Sequence, residues 1–227
     1  MDLAREFGRR KPWVTRFVVQ GAAYGGWYHA ASDPRLTEFL AQFPGARRVL
    51  ELGSLEGGHS LALADRPGID QVVAVEGRRK NVERARFVQS LTGETRVTFT
   101  HGSLETLDLR ALGRFDAVLC LGLLYHLPKP WTLIERIAQV ADGVFIWTHY
   151  AAAQQSRKRR HGYEGGIYRE WRFLFEPLSG LSFTSFWPTR EELVRMLADH
   201  GFTRCTILAD VPDHEHGPAI TLVARKP

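Results

Sequence analysis

Three glycines, Gly53, Gly57 and Gly58, follow the apolar run Val49-Leu50-Glu51-Leu52, and an acid, Glu76, closes the next apolar run 18 positions after Gly58. A turn without bulky side chains lets a ligand approach backbone N–H groups at a helix start, and a carboxylate at the neighbouring strand end can take both hydroxyls of a ribose. Together they point to a nucleotide-type ligand. His126 and His149, each leaving an apolar run, offer proton chemistry, as does His29 nearer the N-terminus. A neutral imidazole is a suitable base near pH 7. His59 and His101 read as ligand-side or structural. Asp213-His214-Glu215-His216 has the look of metal ligands but falls on a far loop, so it reads as a solvated turn and no metal is expected.

The elements that must position these residues follow from periodicity and punctuation. Residues 49–52, 71–76, 96–100, 115–121 and 144–149 read as five strands, the fourth so apolar that it fits a central parallel strand covered on both faces. Helices are expected at 58–64 and at 79–91, the latter ended by Gly93. Asp33-Pro34 opens another helix as N-cap and first helical residue, and Thr189 with Glu192 makes a capping box. Strands alternating with helices argue for a doubly wound parallel sheet. Residues 202–208 and 219–224 read as a closing strand pair. The stretch 150–188 is too long for an ordinary connection and is rich in aromatics, among them Tyr163, Tyr168, Trp171, Phe173, Phe175, Phe183, Phe186 and Trp187. It reads as a cap insertion over the carboxyl ends of the strands, where open α/β sheets bind ligands. Arg169, Glu170 and Arg172 could there hydrogen-bond a polyhydroxylated ring.

From Glu51 the sequence runs Glu-x-Gly53-x-Leu55-x-Gly57, and in this it resembles the class I S-adenosylmethionine-dependent methyltransferases, whose first motif is acid-x-Gly-x-Gly-x-Gly. Leu55 replaces the middle glycine, a departure that suits a methionine-type ligand better than a dinucleotide. The resemblance implies an α/β Rossmann-like fold with a mostly parallel seven-stranded sheet, an antiparallel last strand and S-adenosylmethionine as cofactor. The residues it implies for the donor are Glu51, Gly53, Ser54, Gly57, Glu76, Gly77, Ser103, Leu104, Leu121 and Tyr28, with Glu51 near the methionine ammonium. Ser103 stands where the family commonly has an acid facing the adenine amine. Phe115-Asp116, Gly122-Leu123-Leu124-Tyr125-His126 and Ser185-Phe186-Trp187-Pro188-Thr189 further resemble a branch that includes the tRNA wobble-uridine carboxymethyltransferases. Tyr125 matches that branch's donor-touching loop tyrosine, and Trp27-Tyr28-His29 matches a Trp-Tyr-His in part of it. The lysine that a carboxymethyl donor needs has no counterpart, so an ordinary methyl donor is favoured. The expected catalytic residues are His149, His126 and Tyr125.

The 227 residues, 44% of them hydrophobic, suit one large α/β domain. Residues 1–31 form an expected N-terminal arm or lid and 32–227 the catalytic domain. No run is apolar and long enough for a membrane span. Cys120 and Cys205 read as buried free thiols of a cytoplasmic protein. The net charge of +5 comes from 30 basic and 25 acidic residues, mostly scattered. The one dense basic run of the insertion, Arg157 to Arg160, reads as a loop. Nucleic acid is therefore not the expected partner. The leading expectation is transfer of a methyl to a small molecule, to an oxygen of a sugar or secondary metabolite, by a chain that pairs with a second copy of itself. The alternatives are a tRNA-modifying enzyme and a protein that binds S-adenosylmethionine without catalysis.

Overall fold

A computed structural model of the chain describes residues 1–152, 158–170 and 178–227. Arg157, Trp171, Arg172, Phe173 and Phe175, singled out from the sequence, lie outside the described residues. The chain divides into two compact units, Met1–Ser103 and Leu104–Pro227.

The first unit opens with α1 (Leu3–Arg9) and an antiparallel hairpin, β1 (Arg16–Val19) and β2 (Ala22–Gly25). Next come α2 (Pro34–Gln42), β3 (Arg48–Leu52), α3 (Gly58–Ala64), β4 (Gln71–Glu76), α4 (Arg79–Thr92) and β5 (Val97–His101). β4 pairs in parallel with both β3 and β5. Asp33 caps α2 by accepting from Arg35 N, and Gly93 ends α4 with a positive φ of 70°. The N-terminal arm is packed: Leu3, Phe7, Trp13, Phe17 and Val19 are buried in a cluster with Val88 of α4. Burying each such side chain stabilises by about 1.5–3 kcal/mol, so lifting this part of the arm as a flap would expose a small core. Trp27 is two-thirds exposed, its ring edge-on to Tyr28 at 5.9 Å.

The second unit contains β6 (Ala117–Leu121), α5 (Pro130–Val140), β7 (Gly143–His149), β8 (Lys158–Arg160), β9 (Tyr163–Arg169), β10 (Thr184–Pro188), α6 (Arg190–Asp199), β11 (Arg204–Val211) and β12 (Ala219–Arg225). β6 and β7 are parallel, β12 runs antiparallel to β7, and β11 antiparallel to β12. Thr189 caps α6 as expected, its Oγ1 accepting from Glu192 N at 3.2 Å, but the reciprocal half of the capping box is not made, because Thr189 N donates to Glu164 O and the Glu192 carboxylate accepts from Arg195. The seven-stranded sheet has the order β11-β12-β7-β6-β3-β4-β5, so the mostly parallel sheet with an antiparallel closing strand is observed. Three segments of the expected insertion pair into a small sheet of order β10-β9-β8. Lys158, Arg159 and Arg160 thus form a strand rather than the loop expected, because Arg160 pairs with Tyr163 across a two-residue turn of His161 and Gly162, both at positive φ. Cys120 is buried, and burial pushes its thiol up to about 12, whereas Cys205 is only half-buried. Among the described residues no helix is long and apolar enough to cross a membrane.

Candidate functional site

The first unit carries the glycine turn. Gly53 N and Ser54 N both donate to Val75 O, at 2.9 and 3.2 Å, and Gly57 N closes back on Ser54 O at 2.8 Å. A Cβ on Gly57 would sit 2.6 Å from Phe99 Cζ, and its φ is 79°, so glycine is required there on both counts. Leu55, in place of the family's middle glycine, takes a left-handed φ of 50°. Its N–H then points to Glu76, donating to Oε2 at 2.8 Å, while Arg78 N donates to Oε1 at 2.7 Å. Burial holds the Glu76 carboxyl above its ordinary value, and these N–H groups offset only part of that rise. The two N–H bonds fix the orientation of a carboxylate at the strand end. The Ser54 hydroxyl is buried without a hydrogen-bond partner among the described residues, which fits a site that a polar ligand completes. Gly77 O receives the His101 ring nitrogen at 3.2 Å. Ser103 ends this unit.

Beside the turn, buried Asp33, Glu51 and Ser60 join half-buried Tyr28, Arg35 and His59 in a polar network. The Tyr28 hydroxyl bonds Asp33, His59 Nε2 lies 3.0 Å from Asp33 Oδ2 and 2.9 Å from the Tyr28 oxygen, and Arg35 Nη2 donates to Asp33 Oδ2 at 2.6 Å. Glu51 accepts from the Ser60 hydroxyl, and its Oε1 is 3.6 Å from His59 Nδ1. Burial alone would lower the His59 pKa, but the bonds to Asp33 and Glu51 outweigh it and push it up to about 8. Burial would raise Asp33, but His59, Arg35 and Tyr28 hold it well below the usual carboxylate range. The His59 contribution to stability is therefore complete below its ordinary value of 6.5 and lost as the pH rises through about 8. Asp33 contributes above the ordinary carboxylate range and loses this only in strong acid. We expect the melting temperature of the wild type to fall between pH 6.5 and 8.5 more than that of His59→Gln. Parallel melting curves for the two across that interval would refute the charged pair.

The second unit gathers the remaining candidates. Leu104 is buried, and its carbonyl accepts from Arg136 Nη1 at 2.8 Å. Leu121 ends β6, and Gly122 follows at a φ of 70° with its N–H on Trp147 O. A short 3₁₀ turn, Leu124–His126, then presents Tyr125 and His126. Their rings lie 4.1 Å apart, and Tyr125 is 4.6 Å from the His149 ring. Trp187 of β10 stacks on His149 at 5.2 Å and 11°, with Tyr168 on Trp187 at 4.9 Å. His149 Nδ1 lies 2.9 Å from Gly217 O and 3.2 Å from Pro218 O, which places its proton on Nδ1. Burial lowers the His149 pKa, so the ring is neutral near pH 7. His126 Nδ1 lies 2.7 Å from Glu170 Oε1.

His214 corrects an expectation: its loop is not far, since its ring is 5.1 Å from His149 and 6.0 Å from Trp147. The cause is register. Antiparallel β12 places Ala219 opposite His149, so the 212–218 connection must arrive at that ring. Sequence reasoning also missed Trp147 as a partner of Tyr125, at 6.0 Å. His29 is exposed at the start of a 3₁₀ turn in the first unit. Among the described residues no group of three or more His, Cys, Asp or Glu has the arrangement to hold a metal.

Comparison with known proteins supplies the family. Residues 24–206 match a methyltransferase domain. The chain is 37% identical over 114 residues to the ubiquinone biosynthesis O-methyltransferase of Xanthomonas campestris pv. campestris (strain B100), covering 49% of this chain and 46% of that protein. The chain thus spans about half the length of the curated relatives it matches. The crystal structure of the N-terminal domain of EvdMO1, in the presence of SAH and D-fucose, superposes with a TM-score of 0.90 at 38% identity, covering 100% of this chain and 98% of that one. The crystal structure of EvdMO1 itself matches at 35% identity and a TM-score of 0.79, with 47% of its chain covered. The chain belongs to the methyltransferase domain family, as a class I S-adenosylmethionine-dependent methyltransferase.

Proposed function

We propose that the chain moves the methyl group of S-adenosylmethionine to a hydroxyl oxygen of a small polyhydroxylated acceptor of the sugar kind. The observation that carries this is the second unit's pairing of oriented imidazoles with aromatic rings: His126 and His149 each have Nδ1 committed to an oxygen, beside Tyr125, Trp187 and Tyr168. Such rings suit the apolar faces of a sugar, and a neutral Nε2 suits a hydroxyl proton. The structure of a relative's domain in the presence of SAH and D-fucose supports the same substrate class.

In the first unit, Glu76 takes the donor's ribose hydroxyls, the Gly53–Gly57 turn leaves room for its methionine part, and Ser54 offers an unpaired hydroxyl. The transfer is an in-line displacement, in which alignment of the two reactants supplies much of the rate. The acceptor oxygen bonds the methyl carbon, the sulfonium bond breaks toward sulfur, and the acceptor proton passes to an imidazole.

Glu76→Ala is expected to weaken S-adenosylmethionine binding by about 1.5–3 kcal/mol, the loss of a charged hydrogen-bond partner. Calorimetry decides this, and an unchanged affinity would falsify the placement. Free hexoses and deoxyhexoses, D-fucose included, should then be offered with donor, and mass spectrometry should show a gain of one methylene unit. Methylation of bulk tRNA with no gain on any sugar would overturn the acceptor assignment.

A further inference from the structure

Glu170 is buried, yet it lies in the insertion and belongs to neither the glycine turn nor the strand ends. Its Oε1 is 2.7 Å from His126 Nδ1 and 3.5 Å from the Ser185 hydroxyl, and Gly180 N donates to Oε2 at 3.3 Å. The backbone around it is tied down. Glu170 N donates to Phe183 O, and Phe186 N of β10 donates to Leu127 O, so the insertion's strand docks on the turn that carries His126. A Cβ on Gly180 would come within 2.9 Å of His126 O and 3.1 Å of His126 Cβ, so the 180 backbone sits hard against the pair.

We propose that Glu170 is the positioning residue of a carboxylate–histidine pair that makes His126 the general base. This rests on the reading of the chain as a hydroxyl methyltransferase. A carboxylate oxygen can only accept, so Nδ1 carries the proton, and the neutral ring then holds its lone pair on Nε2. Among the described residues nothing bonds Nε2, and the His126 side chain keeps 14% exposure. During transfer the acceptor O–H proton goes to Nε2 as the new O–CH₃ bond forms. The electron pair of the S–CH₃ bond stays on sulfur, leaving a neutral thioether. The imidazolium so formed faces the Glu170 carboxylate, which stabilises it where it arises.

His149 is the rival, and the geometry gives it another job. It is 3% exposed, with Trp187 stacked on one face and Tyr125, Trp147 and His214 around it at 4.6–5.1 Å. Its ring is a packing piece that holds β7, β10 and the 212–218 loop together, whereas the His126 ring has an open edge.

The test combines a spectroscopic and a kinetic readout on the full chain. In ¹⁵N-histidine-labelled protein near pH 7.5, His126, assigned by its loss in His126→Gln, should show the Nδ1–H tautomer. In Glu170→Gln the side-chain amide can donate to Nδ1, and the signal should shift toward the Nε2–H tautomer. With any acceptor the wild type methylates, Glu170→Gln should lower kcat roughly 10- to 100-fold, less than the about 10²–10⁴-fold of losing the base itself, with donor affinity and acceptor KM changed less than about twofold. Glu170→Asp should recover part of the loss. A wild-type His126 that is Nε2-protonated, or doubly protonated at pH 7.5, overturns the proposal. So does a Glu170→Gln enzyme of wild-type kcat, or one whose loss lies wholly in KM. The tautomer measurement needs neither donor nor acceptor, so it judges the pair even if no hydroxyl is methylated, a result that would count against the proposed function instead.

Discussion

Glu56→Ala should destabilise the protein by about 2–6 kcal/mol. The Glu56 side chain is fully buried in the glycine turn, and its carboxylate accepts from Val14 N at 3.0 and 3.1 Å and from Thr15 N at 2.6 Å. Alanine removes these acceptors and leaves two buried backbone donors unpaired, each costing about 1–3 kcal/mol. No local rearrangement replaces them, because the segment is clamped: Thr15 forms a bridge with Tyr28, and a Cβ on Gly58 would meet Thr15 Cγ2 at 2.6 Å. For a chain of this size each kcal/mol lowers the melting temperature by about 2–4 °C. Glu56→Gln keeps one acceptor oxygen but turns an amide donor toward an N–H, so it should lose about half as much. Because the same residue joins the N-terminal arm to the donor turn, Glu56→Ala should also loosen donor binding. Thermal and urea melts decide the matter; a loss below about 1 kcal/mol would show that the arm is not anchored through this carboxylate.

The second large effect separates the two histidines. His126→Gln should lower kcat by about 10²–10⁴-fold, the usual range for losing a general base, with donor affinity kept. His149→Gln should act mainly on stability, because it breaks a stack between Trp187 and the surrounding rings. Burial lowers the His149 pKa below its ordinary value of 6.5, so its neutral form is the one the fold holds. Its contribution to stability is present above that ordinary value and is lost as the pH falls through the lowered one. Wild type should therefore lose stability from pH 7 to pH 5 in a way that His149→Gln does not. If His149→Gln melts like the wild type and loses kcat as deeply as His126→Gln does, the division of roles between them is wrong.

Much of this was legible in the sequence because the signals are local. Gly53 and Gly57 mark a turn that only small residues can make, Glu76 closes an apolar run, and Thr189 with Glu192 spells a helix start. Apolar alternation with helical periods settles a parallel sheet, and Tyr125 and His126 announce themselves at the end of its most apolar strand. Partnerships between residues far apart in the chain were not legible. Nothing in its neighbourhood singles out Glu56, yet it holds a backbone 41 and 42 residues earlier. Glu170 read as an acceptor contact, yet it bonds a histidine 44 residues away, because β10 docks beside the 124–127 turn. His214 read as solvated, yet the register of β12 on β7 delivers it to His149. Spacing fixes which backbone conformations a short stretch can adopt; which side chains then meet depends on strand register and docking, and those are decided by the burial of faces that a linear sequence does not bring together.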